Sequence, residues 1–98
     1  MGDGLFVSLR EGHVNLKFHP IGSAPRLKSS SYDVRSDTAF KHIVSYLKQS
    51  LETSEDVFAY INNQWEPLED QIIGDIVRCF SRNDTLAVHY SVGVRAYL

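Results

Sequence analysis

Phe58-Ala59-Tyr60-Ile61-Asn62-Asn63-Gln64-Trp65-Glu66-Pro67-Leu68-Glu69-Asp70-Gln71 carries the chain from strand composition through a reversal to a helix start within one run. The β-branched and aromatic residues from Val57 to Ile61 suit a pleated, half-buried surface. Asn62-Asn63 supplies the left-handed backbone that a sharp turn needs, and Pro67 biases Glu66 towards an extended conformation. This predicts a strand, a tight turn and a second short extended piece. Beyond it Ile73, Ile76, Val77 and Phe80 recur at helical spacing, with Asp70 as the candidate N-cap.

Upstream of this stretch, Val14, Leu16 and Phe18 alternate with Asn15, Lys17 and His19 until Pro20 and Gly22 close the run. A period of two is that of a strand with one buried face. Ser23 to Ser31 reads as a turn-rich, locally basic connection through Pro25, Arg26 and Lys28, leading to a second strand around Tyr32 and Val34 and so to a hairpin. Ser36 and Asp37 are N-cap candidates for a helix whose apolar stripe is Phe40, Ile43, Val44, Leu47 and Leu51. That helix is expected to cross the hairpin and deliver the chain to the strand at Val57, running parallel to the first strand. Downstream, Ser81 to Asp84 is a turn, and Leu86, Val88 and Tyr90 mark a last strand. The order ββαββαβ, with the right-handed crossover rule, gives an α+β ubiquitin-like β-grasp: a mixed sheet crossed by one main helix, with a second, shorter helix.

At 98 residues and 43% hydrophobic, the chain supports one core. Residues 1–12 are expected to form a flexible or tag-like N-terminus and residues 13–98 the domain. A net charge of -2 with acids and bases intermixed offers no basic stripe, which argues against a nucleic-acid partner and points to protein partners. The single Cys79 cannot form an internal disulfide, and no apolar run approaches the roughly 20 residues of a membrane span, so a cytoplasmic protein is expected. His13, His19, His42 and His89 lack metal-ligand spacing, and Cys79 lies at a helix end rather than a helix start. Glu66, Glu69 and Asp70 suit the positive end of the second helix without any catalytic purpose. No phosphate loop and no nucleophile with a nearby base is present, so the expectation is a binding module: not an enzyme, with no cofactor and no metal.

The pattern Phe58-x-Tyr60-Ile61-Asn62-Asn63-x-Trp65-x-Pro67, followed by Gly74 and His89-Tyr90, resembles the autophagy-related protein 12 family of ubiquitin-like proteins. The resemblance covers residues 13 to 98 and includes Phe18-His19-Pro20-Ile21-Gly22-Ser23. It implies a non-catalytic subunit that acts with autophagy-related proteins 5 and 16 as an E3-like factor. The implied role is to promote transfer of the protein 8 modifier from the E2-like protein 3 to phosphatidylethanolamine. It also implies peripheral residence at preautophagosomal membranes, reached only through the complex. Family members carry a C-terminal glycine for isopeptide attachment to protein 5, whereas Ala96-Tyr97-Leu98 ends this sequence. The expectation is therefore non-covalent association with protein 5, with protein 16 held through protein 5. The alternative is a modifier conjugated to protein 5 or to another target. By the same resemblance His13, Ser31 and Tyr32 are the candidate site for protein 3, to which Lys28 lies close enough in sequence to contribute, and Tyr60 and Trp65 are a functional aromatic patch. Because the apolar period of the last strand runs on in the sequence, Val92, Val94, Ala96, Tyr97 and Leu98 are the candidate protein 5 contacts.

Overall fold

The computed structural model describes residues 12–62, 65–80 and 85–95, with the side chains of Cys79 and Phe80 left aside. The elements follow as β1 (His13–Pro20), β2 (Ser31–Arg35), α1 (Phe40–Leu51), β3 (Val57–Ile61), α2 (Ile73–Phe80) and β4 (Thr85–Val92). The four strands form one sheet in the order β2-β1-β4-β3. β1 and β2 are the expected antiparallel hairpin, with Val14 opposite Val34 and Leu16 opposite Tyr32.

The direction of β3 differs from the sequence expectation. β1 runs parallel to β4, and β4 runs antiparallel to β3, so β3 opposes β1. A strand–helix–strand crossover restores the direction of the strand that enters the helix. Here that strand is β2, which already opposes β1. The second extended piece after the turn is likewise reduced to one bridge, between Ile61 and Trp65. Pro67 has no amide to continue a ladder there.

Alternation decides which side chains are buried. Val14, Leu16 and Phe18 of β1, Leu86, Val88 and Tyr90 of β4, and Val57, Ala59 and Ile61 of β3 all belong to one core. Phe40, Ile43 and Leu47 of α1 and Ile73, Ile76 and Val77 of α2 cover it from one side. Among the described residues no helix lies on the opposite side of the sheet.

Both helix starts are closed differently from expectation. Ala39, not Ser36 or Asp37, precedes α1, and it makes no side-chain cap. Asp37 instead pairs with Arg35 at 3.0 Å. The amides of Phe40 and Lys41 donate to the carbonyls of Gln71 and Glu69, at 2.8 and 2.9 Å. In return the amides of Ile73 and Gly74 donate to Thr38 and Ser36, both at 2.8 Å, and Asp70 lies exposed in the preceding turn. The orphan donors of each helix are thus satisfied by the backbone leading into the other, with Ala39 bridged to Ile72 between them. Gly74 permits the approach, because a Cβ there would stand 2.8 Å from the Ser36 carbonyl oxygen.

Candidate functional site

β2 is an edge strand among the described residues. The amide of Phe18 donates to the carbonyl of Ser30 and that of Ser36 to Gly12, at 2.8 and 2.6 Å. Even-numbered residues of β2 therefore bond to β1, and the backbone groups of Ser31 and Asp33 point outwards. The four residues proposed from the sequence divide between the two faces of this edge. On the helix-free face His13 Nδ1 lies 3.0 Å from Asp33 Oδ2, and Asn15 donates to the Ser31 hydroxyl at 3.1 Å. On the helix face Tyr32 stacks on Tyr46 of α1, with centroids 3.7 Å apart and planes 3° from parallel, and Tyr46 in turn meets Phe18 at 5.9 Å. Lys28 joins this second group, lining an open cleft of about 220 Å³ with Leu27, Ser29, Tyr46, Ser50 and Glu52. The structure thus gathers Tyr32 and Lys28 around Tyr46, and places His13 and Ser31 across the strand from them. Tyr46 is the residue that sequence reasoning missed. Its signal was present, since it lies three residues after Ile43 on the margin of the apolar stripe.

The aromatic pair beside the turn has unequal access to solvent. Tyr60 is 2% exposed, with its hydroxyl 3.3 Å from that of Ser91. Trp65 is half-buried against the core and its carbonyl accepts from Ile61 at 2.7 Å. Asn62 takes the expected left-handed conformation between them, at φ 53°. Of the two rings, Trp65 is the one that presents surface.

The tail departs from the extrapolated strand period. Val92 is half-buried opposite Val57, and the strand ends there because Gly93 turns at φ 90° and donates to the Asp56 carbonyl. Val94 is 73% exposed. Arg95 is drawn back onto the body: its guanidinium lies 4.6 Å over the Phe58 ring and bonds Glu66 at 2.9 and 3.4 Å. That carboxylate holds the arginine further above its ordinary pKa. Ala96, Tyr97 and Leu98 lie outside the described residues, as do residues 1–11 of the proposed N-terminal segment and the turn at 81–84.

On the helix-free face His19 and His89 are register partners on adjacent strands, their rings stacked 4.9 Å apart. Burial, and then the neighbouring His19, push His89 below the usual imidazole pKa. Its Nδ1 is buried without a hydrogen-bond partner. Among the described residues no three His, Cys, Asp or Glu side chains gather as a metal ion requires. None of the described helices is long and apolar enough to cross a membrane.

A family model described as the ubiquitin-like autophagy protein Apg12 matches residues 13–97. The ubiquitin-like protein ATG12 of Neurospora crassa is 37% identical over 82 residues, which are 81% of this chain and 52% of that protein. The ATG12 protein of Coccidioides immitis is 36% identical over 83 residues, 83% of this chain and 46% of that one. For the Dictyostelium discoideum protein the identity is 30% over 84 residues, 84% of this chain and 68% of that one. The chain spans about half the length of the fungal relatives it matches. In three dimensions it is similar to the crystal structure of Trypanosoma brucei ATG8, with a TM-score of 0.73 at 19% identity, over 85% of this chain and 75% of the other. That likeness fixes the fold as a ubiquitin-like α+β domain.

Proposed function

The chain belongs to the family of the ubiquitin-like autophagy protein Apg12, and on that footing we propose that it is the non-enzymatic ubiquitin-like subunit of an E3-like complex with autophagy-related proteins 5 and 16. In this role it promotes transfer of the protein 8 modifier from the E2-like protein 3 to phosphatidylethanolamine. It works in the cytoplasm and meets preautophagosomal membranes only through the complex. The observation that carries the reading is the β2 edge. An extended partner segment added to an edge strand gains main-chain hydrogen bonds and sends alternate side chains to opposite faces. His13 and Ser31 flank one side of that path, and the Tyr32–Tyr46 stack with Lys28 flanks the other. Lys17, Arg26 and Lys28 are exposed beside it, which suits an acidic segment of protein 3.

We propose further that the association with protein 5 is non-covalent. The Arg95 clamp supports this, since an isopeptide bond requires a tail free to enter narrow active sites, and here the Arg95 side chain is paired with Glu66 and lies over the Phe58 ring. Val92, Val94, Ala96, Tyr97 and Leu98 remain the proposed contacts. Calorimetric titration with protein 3 tests the β2 edge. Tyr32→Ala is expected to cost about 2 kcal/mol or more of binding, as a partly dehydrated aromatic anchor does, while the variant remains folded. Unchanged affinity would move the site elsewhere.

A further inference from the structure

Arg26 and Lys28 stand in the β1–β2 connection and Lys17 on β1 opposite Ser31, and none of them meets a carboxylate in the ion pairs formed among the described residues. They stand exposed on a chain that is net acidic overall. Beside them, in irregular backbone, lie the exposed Ser29 and Ser30. The connection is fixed upstream, where the Tyr90 hydroxyl donates to the Pro25 carbonyl at 2.5 Å and Leu27 packs on the core. It is fixed downstream where the Ser30 carbonyl takes the Phe18 amide. Between these anchors the Ser29 hydroxyl makes one solvent-exposed bond, to the Ser31 carbonyl at 3.1 Å. Arg26 stands three residues before Ser29 and Lys28 one before it. That is the spacing at which a kinase with an acidic substrate groove reads an extended peptide, because a guanidinium three residues back reaches the carboxylates that flank its active site.

We infer that Ser29 is a phosphorylation site for a basic-directed protein kinase and that the phosphate closes the β2 edge to its acidic partner. The regulatory half rests on the docking reading above. In the transfer, Ser29 Oγ attacks the γ-phosphorus of ATP bound to the kinase. The bond from that phosphorus to the β–γ bridging oxygen breaks, ADP leaves, and the hydroxyl proton passes to the kinase's catalytic base. The product has no hydroxyl proton, so the bond to the Ser31 carbonyl is lost. A phosphoserine brings a charge of about -1.5 to -2 at pH 7. Glu52, which lines the same cleft as Lys28 and Ser29, repels it. Lys28, which lines that cleft, and Arg26 attract it from the connection itself. The cations that would meet an acidic partner are then neutralised in place, and the edge, which already carries Asp33, turns acidic.

The test takes the full chain, ATP and a basic-directed serine kinase. Intact mass and fragmentation are expected to show one phosphate, on Ser29. It is expected to be absent from Ser29→Ala and added about tenfold or more slowly to Arg26→Ala, the loss of one charged contact. Transfer to Ser30 or to another residue instead would overturn the assignment. The phosphorylated chain is then titrated with protein 3, and should bind about tenfold or more weakly than the unmodified chain. Equal affinity of the two forms would overturn the regulatory half. An unmodified chain that does not bind protein 3 removes the docking reading alone. The phosphate can still be judged by ³¹P NMR: its second pKa is expected below the usual value of about 6 if Arg26 and Lys28 hold it, and a value at 6 overturns the inference.

Discussion

His89 shows how one residue can couple the sheet to solvent conditions. It lies half-buried between His19 and Tyr60 in the register, with Nδ1 lacking a partner, so its neutral form is favoured in the folded chain. The folded pKa is below the unfolded value of about 6.5, so between the two values the unfolded chain binds more protons. Stability is therefore expected to fall as the pH drops below about 6.5, more steeply in the parent than in His89→Gln. Urea midpoints from pH 5 to 8 measure this, and a constant difference between parent and variant would contradict it. At this scale the sequence was read well where alternation speaks: Val14, Leu16 and Phe18 are buried while Asn15, Lys17 and His19 face the other side. Parity alone does not account for Tyr60, which alternation sets on the face away from Ala59 and Ile61 and whose ring is nonetheless buried.

Elements were legible through their periods, and their ends were not. The Phe40, Ile43 and Leu47 stripe made α1 visible, but its start carries no side-chain cap and so leaves no local signature. Carbonyls some thirty residues away in sequence do that work. Gly74 is where the arrangement is tightest. Alanine in its place is a better helix former by about 1 kcal/mol. Against this, its Cβ would press to 2.8 Å on a backbone oxygen that already accepts the Gly74 amide, and such overpacking costs about 1–3 kcal/mol. The backbone has little room to yield, since Ser36 is also tied to Gly12. Gly74→Ala is therefore expected to lower the thermal midpoint by several degrees, roughly 4–8 °C per kcal/mol in a domain of this size. A midpoint at or above that of the parent would show that the two connections can separate without loss. The end of β4 is hidden in the sequence for a related reason: the alternation through Val92 and Val94 looks continuous, while the strand stops at Val92 and Gly93 turns at φ 90°.

Among the described residues the molecule is a β-grasp sheet with both helices on one face, β2 at one edge and β3 at the other. Sequence reasoning reached this architecture but not the direction of β3, because a crossover fixes direction only relative to the strand before it. At this scale the association with protein 5 is tested by co-purification and denaturing electrophoresis. Two separate bands are expected; one at the summed mass would refute the non-covalent reading. The paired helix starts bear also on how the chain is made. During synthesis the first turn of α1 emerges before Glu69 and Gln71, so the amides of Phe40 and Lys41 lack their native acceptors until those residues follow. Only when the second connection has emerged can these four bonds form, so that neither helix start is completed without the other.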